Sequence, residues 1–131
     1  MIRFPMLLRA RNESLGDKGE RLAARWLRRH GYRILHRKYR VIDDEADLIA
    51  LDPDGSTIVI VEVKTRSSQE PPPEEGIGRT KQFRLARLAA RLARQRPFRD
   101  RPIRFDAVAV VWSERGKPQI KHFVAAFEAP F

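Results

Sequence analysis

The chain has 131 residues, no cysteine, 42% hydrophobic and 34% charged residues. That length suits one domain with a real core, and the absence of cysteine excludes a disulfide framework and a thiolate zinc site. Lys and Arg number 27 against 17 Asp and Glu, a formal net charge of +10 that favours polyanionic partners, most simply nucleic acid. Ribosomal and membrane-surface proteins share such a balance, so charge alone does not choose.

Residues 1–13 read as a basic mobile arm. Its apolar patch (Phe4, Met6, Leu7, Leu8) is interrupted by Pro5 and bracketed by Arg3, Arg9 and Arg11, too short for a secretory segment. No apolar run approaches a membrane span, so the expectation is a soluble, cytoplasmic protein with no membrane partner. Residues 14–131 read as one domain.

Within that domain residues 14–30 predict a helix, with Ser14 or Asp17 near its start and Gly31 as its stop. Leu22, Ala23, Trp26 and Leu27 form its apolar stripe, and Arg21, Arg25, Arg28 and Arg29 lie outside it. A strand over 32–36 continues irregularly towards Arg40. Two apolar runs, 45–51 and 57–65, flank Asp52-Pro53-Asp54-Gly55 and predict a hairpin. Residues 67–78, with Pro71-Pro72-Pro73, Gly76 and Gly78, read as a loop beside the hairpin. Residues 79–95 predict a second helix closed by Pro97, 103–112 a strand, 113–117 a turn and 119–124 a last strand. The order is αβββαββ.

The hairpin carries the chemistry, because it embeds charge in apolar strand patterns, where charge is expensive unless something uses it. A four-residue loop at 52–55 would set Leu51 opposite Ser56, Asp47 opposite Ile60, Glu45 opposite Glu62 and Asp43 opposite Lys64. Glu45, Asp47, Glu62 and Lys64 would then share one face. Carboxylates clustered in this way repel unless a cation sits between them, and oxygen-only ligands suit Mg²⁺ or Mn²⁺. Asp47 and Glu62 are the expected metal ligands, with the Val63 carbonyl a further donor and Glu45 a second carboxylate or a hydrogen-bonding helper. Lys64 would orient an attacking water or offset phosphate charge. A lone Glu-x-Lys is common by chance, and the bland alternative is an edge strand whose charged face meets solvent.

Lys81 shares a helical face with Leu85, Leu88 and Leu92. It either snorkels outward at the helix end or points into a polar site. Glu20, one turn into its helix, reads most simply as a partner of the helix dipole. Arg84, Arg87, Arg91 and Arg94 form a stripe in a segment, 79–96, with seven Lys and Arg and no carboxylate. An ordinary solvated helix face mixes signs, so this stripe predicts phosphate contacts. Asp106 beside Arg104 reads as a salt bridge or a support for the site. Asp44-Glu45-Ala46-Asp47 spells DEAD, but no phosphate loop accompanies it and the chain is too short for a helicase core.

Taken together, Gly16-Asp17-Lys18-Gly19-Glu20 with Ala23, Ala24 and Leu27, Gly31-Tyr32-Arg33-Ile34-Leu35, Glu45-Ala46-Asp47-Leu48-Ile49, Val61-Glu62-Val63-Lys64-Thr65-Arg66, Lys81 and Arg104-Phe105-Asp106 resemble the YraN-like family of bacterial endonuclease-like proteins. The resemblance spans about residues 14–112. That family is similar to archaeal Holliday-junction resolvases and to PD-(D/E)xK nucleases. The resemblance implies an α/β, restriction-endonuclease-like three-layer fold with a mixed central sheet flanked by helices. It also implies a Mg²⁺-dependent endonuclease acting on DNA, with branched DNA among its substrates and a homodimer making symmetric cuts. In its terms Asp47, Glu62 and Lys64 are the nuclease core, Glu20 takes the helix-borne acidic position, and Lys81 lines the site. The chain departs from the family's Gly-Glu-Ile-Asp at Asp44-Glu45-Ala46-Asp47, which adds a charge, and it lacks the proline of the motif's name. The alternative is a nucleic-acid-binding protein, for DNA or for RNA and the ribosome, that keeps the fold without turnover.

Overall fold

Ser14 starts the first helix: its hydroxyl accepts the Asp17 amide at 3.0 Å, and α1 runs over Leu15–Arg29. Asp17 in the first turn and Arg28 and Arg29 in the last complement the helix dipole. Gly31, at φ +89°, takes the left-handed turn that ends it. These coordinates come from a computed structural model, which describes residues 13–67 and 76–131. The expected basic arm (save Glu13) and the middle of the 67–78 loop lie outside the described residues.

After α1 come β1 (Arg33–Val41), β2 (Asp44–Leu51), β3 (Ile58–Ser67), α2 (Arg79–Leu92), a short 3-10 turn at Arg96–Phe98, β4 (Ile103–Trp112) and β5 (Gln119–Phe127). The strands form one sheet in the order β1-β2-β3-β4-β5. Only the β3–β4 pair is parallel, and α2 lies in the connection between those two strands. The result is the expected α/β fold: a five-stranded mixed sheet with a helix on each face, consistent with a nuclease-like three-layer arrangement.

Each face has its own core. Ala23, Ala24 and Leu27 of α1 pack on Leu48, Ala50, Val59, Val61, Val108 and Val110. Leu85, Leu88 and Leu92 of α2 pack on Ile49, Ile58, Ile60 and Phe105. Alternation along β3 sends Val59 and Val61 to one helix and Ile58 and Ile60 to the other. The approach of α1 is closest at Gly19, where a Cβ would stand 2.1 Å from the Thr65 hydroxyl oxygen. Glycine there lets the N-terminal turn of α1 rest directly on β3.

The β2–β3 register differs from the four-residue-loop expectation. Leu51 pairs with Ile58, Ala50 with Val59, Ile49 with Ile60 and Leu48 with Val61. The cause lies in the loop. The Asp54 carboxylate accepts the Ser56 and Thr57 amides at 2.8 and 2.9 Å and the Thr57 hydroxyl at 2.7 Å, drawing both residues out of the strand. A shift of two residues keeps every side chain of β3 on its expected face.

A candidate metal and phosphodiester site

The site begins where two strands part. The β2–β3 ladder stops at the Leu48–Val61 pair, which leaves the amides of β3 that point towards β2 beyond it without a partner on that strand. Asp47 fills the gap: its Oδ2 accepts the Val63 amide at 2.7 Å. Side-chain alternation also slips here. Asp44 and Ala46 face α2 together with Ile49, whereas Leu48 and Ala50 face α1. Asp47 therefore stands at the seam between the two faces and serves groups on both.

Glu62 follows Val61 on β3 and is mostly buried. Its Oε2 lies 3.5 Å from Lys81 Nζ, while Oε1 is buried and has no hydrogen-bond partner among the described residues. Burial first, then the neighbouring Asp47 carboxylate, pushes the Glu62 carboxyl up to about 8; Lys81 opposes the rise without cancelling it. Glu20, on the first turns of α1, has its carboxyl raised by burial and then by Asp47. Asp47 on β2 thus acts on a carboxyl on each side of it, Glu20 on α1 and Glu62 on β3. Lys81 does not snorkel outward; it points at Glu62.

Lys64 leaves β3 on the same face as Glu62 and donates to the Gly76 carbonyl just ahead of α2. It borders a cavity of about 130 Å³ lined also by Ile77, Ala107 and Ala109. Glu45 does not share that face. It lies opposite Arg40 on β1 and pairs with it at 2.9 Å, on the side of α1 where it adds to the field at Glu20. The expected Glu45–Glu62 pairing is therefore corrected. The ladder ends before Glu45 is reached, and the alternation slip turns Glu45 to the other face.

Two carboxylates, Asp47 and Glu62, the latter with an unsatisfied buried oxygen, are a donor set that fits one hard divalent cation. Mg²⁺ commonly takes one or two protein carboxylates and completes its shell with water and substrate phosphate. Among the described residues no group of three or more His, Asp or Glu is drawn together closely enough to hold a metal ion by itself.

The profile of the uncharacterised protein family UPF0102 matches residues 19–110, a stretch that runs from the close-packed Gly19 to Val110 of β4 and includes every residue of this site. The chain belongs to this family. UPF0102 proteins of Geobacter metallireducens and Geotalea uraniireducens are 43% and 38% identical to it, over 92% and 94% of this chain and 97% and 96% of theirs. One from Beutenbergia cavernae is 42% identical over 84% of this chain and 92% of its own. This is the YraN-like family that the sequence blocks resemble.

In this UPF0102 chain the arginine stripe of α2 divides. Arg87 grips Asp44 through two bonds of 2.7 and 2.8 Å, and Arg91 stands 3.5 Å from the same carboxylate. The Asp44 side chain is 1% exposed, and the Arg87 hydrogen bond holds its carboxyl below the usual carboxylate range. Part of the stripe's charge is spent on a structural pair between β2 and α2. Arg84 and Arg94 carry no side-chain ion pair among the described residues. Asp44, the charge that the chain adds at this motif, thus lies under α2 and not beside Glu62. Its partner is 43 positions away, beyond the reach of any local pattern.

Asp106, fully buried, forms a salt bridge. Arg104 holds it with two bonds of 2.8 Å, His122 Nε2 is 2.7 Å away, and the Ala125 amide donates at 3.0 Å. Arg104 also reaches Asp52 at 2.7 Å and the Tyr32 hydroxyl at 3.0 Å. These bonds tie β1, the hairpin loop, β4 and β5 together on the face of α1. No helix among the described residues is long and apolar enough to cross a membrane.

Proposed function

We propose that this UPF0102 protein is a Mg²⁺- or Mn²⁺-dependent endonuclease that hydrolyses phosphodiester bonds in DNA, with branched DNA among its substrates. One observation carries the reading: Asp47 and Glu62 are held side by side in a mostly buried place, and the Glu62 carboxyl is raised to about 8 with Oε1 unsatisfied. A protein keeps such repulsion when a ligand relieves it. Perturbed carboxyls also occur in purely structural networks, but those are saturated with donors, as at Asp106.

Asp47 and Glu62 would hold the cation. When bound it polarises a phosphate oxygen and makes a neighbouring water more acidic. The Val63 amide fixes Asp47 in place, so its free oxygen is preoriented. Lys81 and Lys64, on the α2 face, bring positive charge towards the position of the scissile phosphate. Glu20, kept protonated further up the pH scale by burial, stands on the other side of Asp47 and can hold or pass a proton to a water there. Arg84 on α2 and Arg94 in the turn after it supply contacts to the phosphate backbone.

The test is incubation with linear, flapped and four-way-junction DNA in Mg²⁺, Mn²⁺ or EDTA, beside Glu62→Ala. Cleavage that needs both the metal and Glu62 supports the reading. Undiminished cleavage by Glu62→Ala sinks the residue assignment. Binding without cleavage on every substrate would place the chain among modules that keep the fold and turn nothing over.

A further inference from the structure

A second concave region lies at the opposite end of α2. It encloses about 510 Å³ between the start of β1, the hairpin loop and the 3-10 turn at Arg96–Phe98. Leu51, Ile58 and the buried Phe98 make an apolar floor. Arg33 and Arg101 stand at its rim. Arg101 is held by carbonyls alone, donating to Pro97 at 3.0 Å and to Gly55 and Ser56 at 3.3 and 3.4 Å. Neither arginine pairs with a carboxylate among the described residues, so both charges are available, unlike that of Arg87.

The remaining wall is aromatic and amide. The exposed His36 ring lies 4.9 Å from Tyr39 and 6.1 Å from Phe98, between ring centroids. Gln95 donates its Nε2 to the Tyr39 hydroxyl at 2.7 Å, which leaves its amide oxygen as an acceptor. The volume is within the range of small-molecule sites. An apolar floor, a ring to stack on, an amide acceptor and two guanidinium groups, that of Arg101 fixed by its carbonyl partners, together match one nucleotide: base over the floor, phosphate on the arginines.

We propose that this groove takes an unpaired nucleotide of the strand bound at the Asp47–Glu62 site, so that the substrate class is duplex DNA with an adjacent unpaired base. The proposal rests on the nuclease reading for the strand's identity, but its binding step needs no turnover. Lys81 reaches the catalytic carboxylates from the start of α2, and Gln95 borders the groove just past its end. The eleven positions from Lys81 to Leu92 span about 17 Å at helical rise, about five base-pair steps of duplex, and Gln95 lies three residues further on. Arg84 lies between them on α2. The unpaired base would therefore sit about five or six base pairs from the cut.

The experiment measures fluorescence anisotropy of the full chain in EDTA against a labelled blunt duplex and the same duplex carrying one unpaired nucleotide. Wild type is expected to prefer the second by roughly tenfold, one stacked and phosphate-clamped nucleotide's worth. Arg33→Gln and His36→Ala, neither of which removes a hydrogen bond from the fold, should erase most of that preference with blunt-duplex affinity within about threefold. Preference retained in both variants, or absent from a wild type that binds the blunt duplex, overturns the groove. Full competition by a free nucleoside monophosphate at matching affinity overturns the strand as its source. In the Mg²⁺ arm, cleavage that survives Glu62→Ala overturns the site assignment and leaves the groove standing. A wild type that binds no DNA overturns both.

Discussion

Replacing Glu62 with glutamine should make the protein more stable in mild alkali and useless as a nuclease. In the folded chain Glu62 keeps its proton up to about pH 8, whereas the unfolded side chain releases it near 4.5. Between those values the folded state binds more protons than the unfolded state, so stability falls as pH rises from 4.5 to 8 and levels off above. At about 1.4 kcal/mol per pH unit, the full span comes to roughly 5 kcal/mol. Glutamine has the same shape and no charge to strand, so its variant lacks this loss. It gives up the Lys81 contact, which is small because Lys81 is 38% exposed.

Urea unfolding of both proteins at pH 5 and pH 8.5 isolates the effect of Glu62 together with its coupling to Asp47, because the titrating groups elsewhere are shared. Wild type should lose about 2–5 kcal/mol relative to Glu62→Gln between those conditions, the lower figure allowing for relaxation around the charge. Mg²⁺ at ten times its dissociation constant should restore about 1.4 kcal/mol to wild type at pH 8.5 and nothing to the variant. Parallel pH slopes for the two proteins would refute the claim that Glu62 is stranded. A variant that still cleaves would refute its use.

Gly19→Ala places a methyl group 2.1 Å from the Thr65 hydroxyl oxygen and should cost about 1–3 kcal/mol in thermal or urea unfolding, largely recovered by adding Thr65→Ala. Arg87→Ala leaves Asp44 buried beside Arg91 and should lower the urea midpoint of unfolding; Arg84→Ala should be thermally silent and should lower the salt slope of DNA binding by about one. Arg104→Met leaves the Asp106 carboxyl, which is held below its ordinary range, facing only His122 and an amide, and should cost about 3–5 kcal/mol at pH 7. Because that carboxyl is depressed in the fold, its contribution to wild type is present above the usual aspartate range and fades as pH falls through the lowered value, which acid titration of unfolding would show.

The elements were legible because each is signalled locally. Ser14 and Gly31 bracket α1 and Ile103–Trp112 is an uninterrupted β pattern matched by β4, whereas the second helix, expected over 79–95, ends at Leu92 and Pro97 falls in the 3-10 turn after it. The final strand runs on to Phe127, three residues past the expected end, because a bulge near Ala125, at φ +53°, masks its alternation. The partners of buried charge were not legible. Nothing near Asp44 in the chain announces Arg87, and Asp106 could be paired with Arg104 by proximity but not with His122 across β5. The hairpin register failed for a related reason: the hydrogen-bonding capacity of Asp54 decided the loop length, and a turn pattern counts residues and not acceptors.

That two-residue error is informative about why the site sits where it does. Had β2 and β3 stayed paired to their ends, Glu45 and Lys64 would have met across the ladder and neutralised each other. Instead pairing stops at Leu48–Val61, and the alternation of β2 slips at Asp47. The slip sends Glu45 to Arg40 and Asp44 to Arg87, both satisfied, and leaves Asp47 at the seam with Glu62 and Glu20. Glu45 and Asp44 therefore each have an arginine of their own, whereas Glu62 has a 3.5 Å contact with the partly exposed Lys81. Straightening the strand would stabilise the carboxylates and remove the site, so the break in the ladder is the feature on which the proposed chemistry depends.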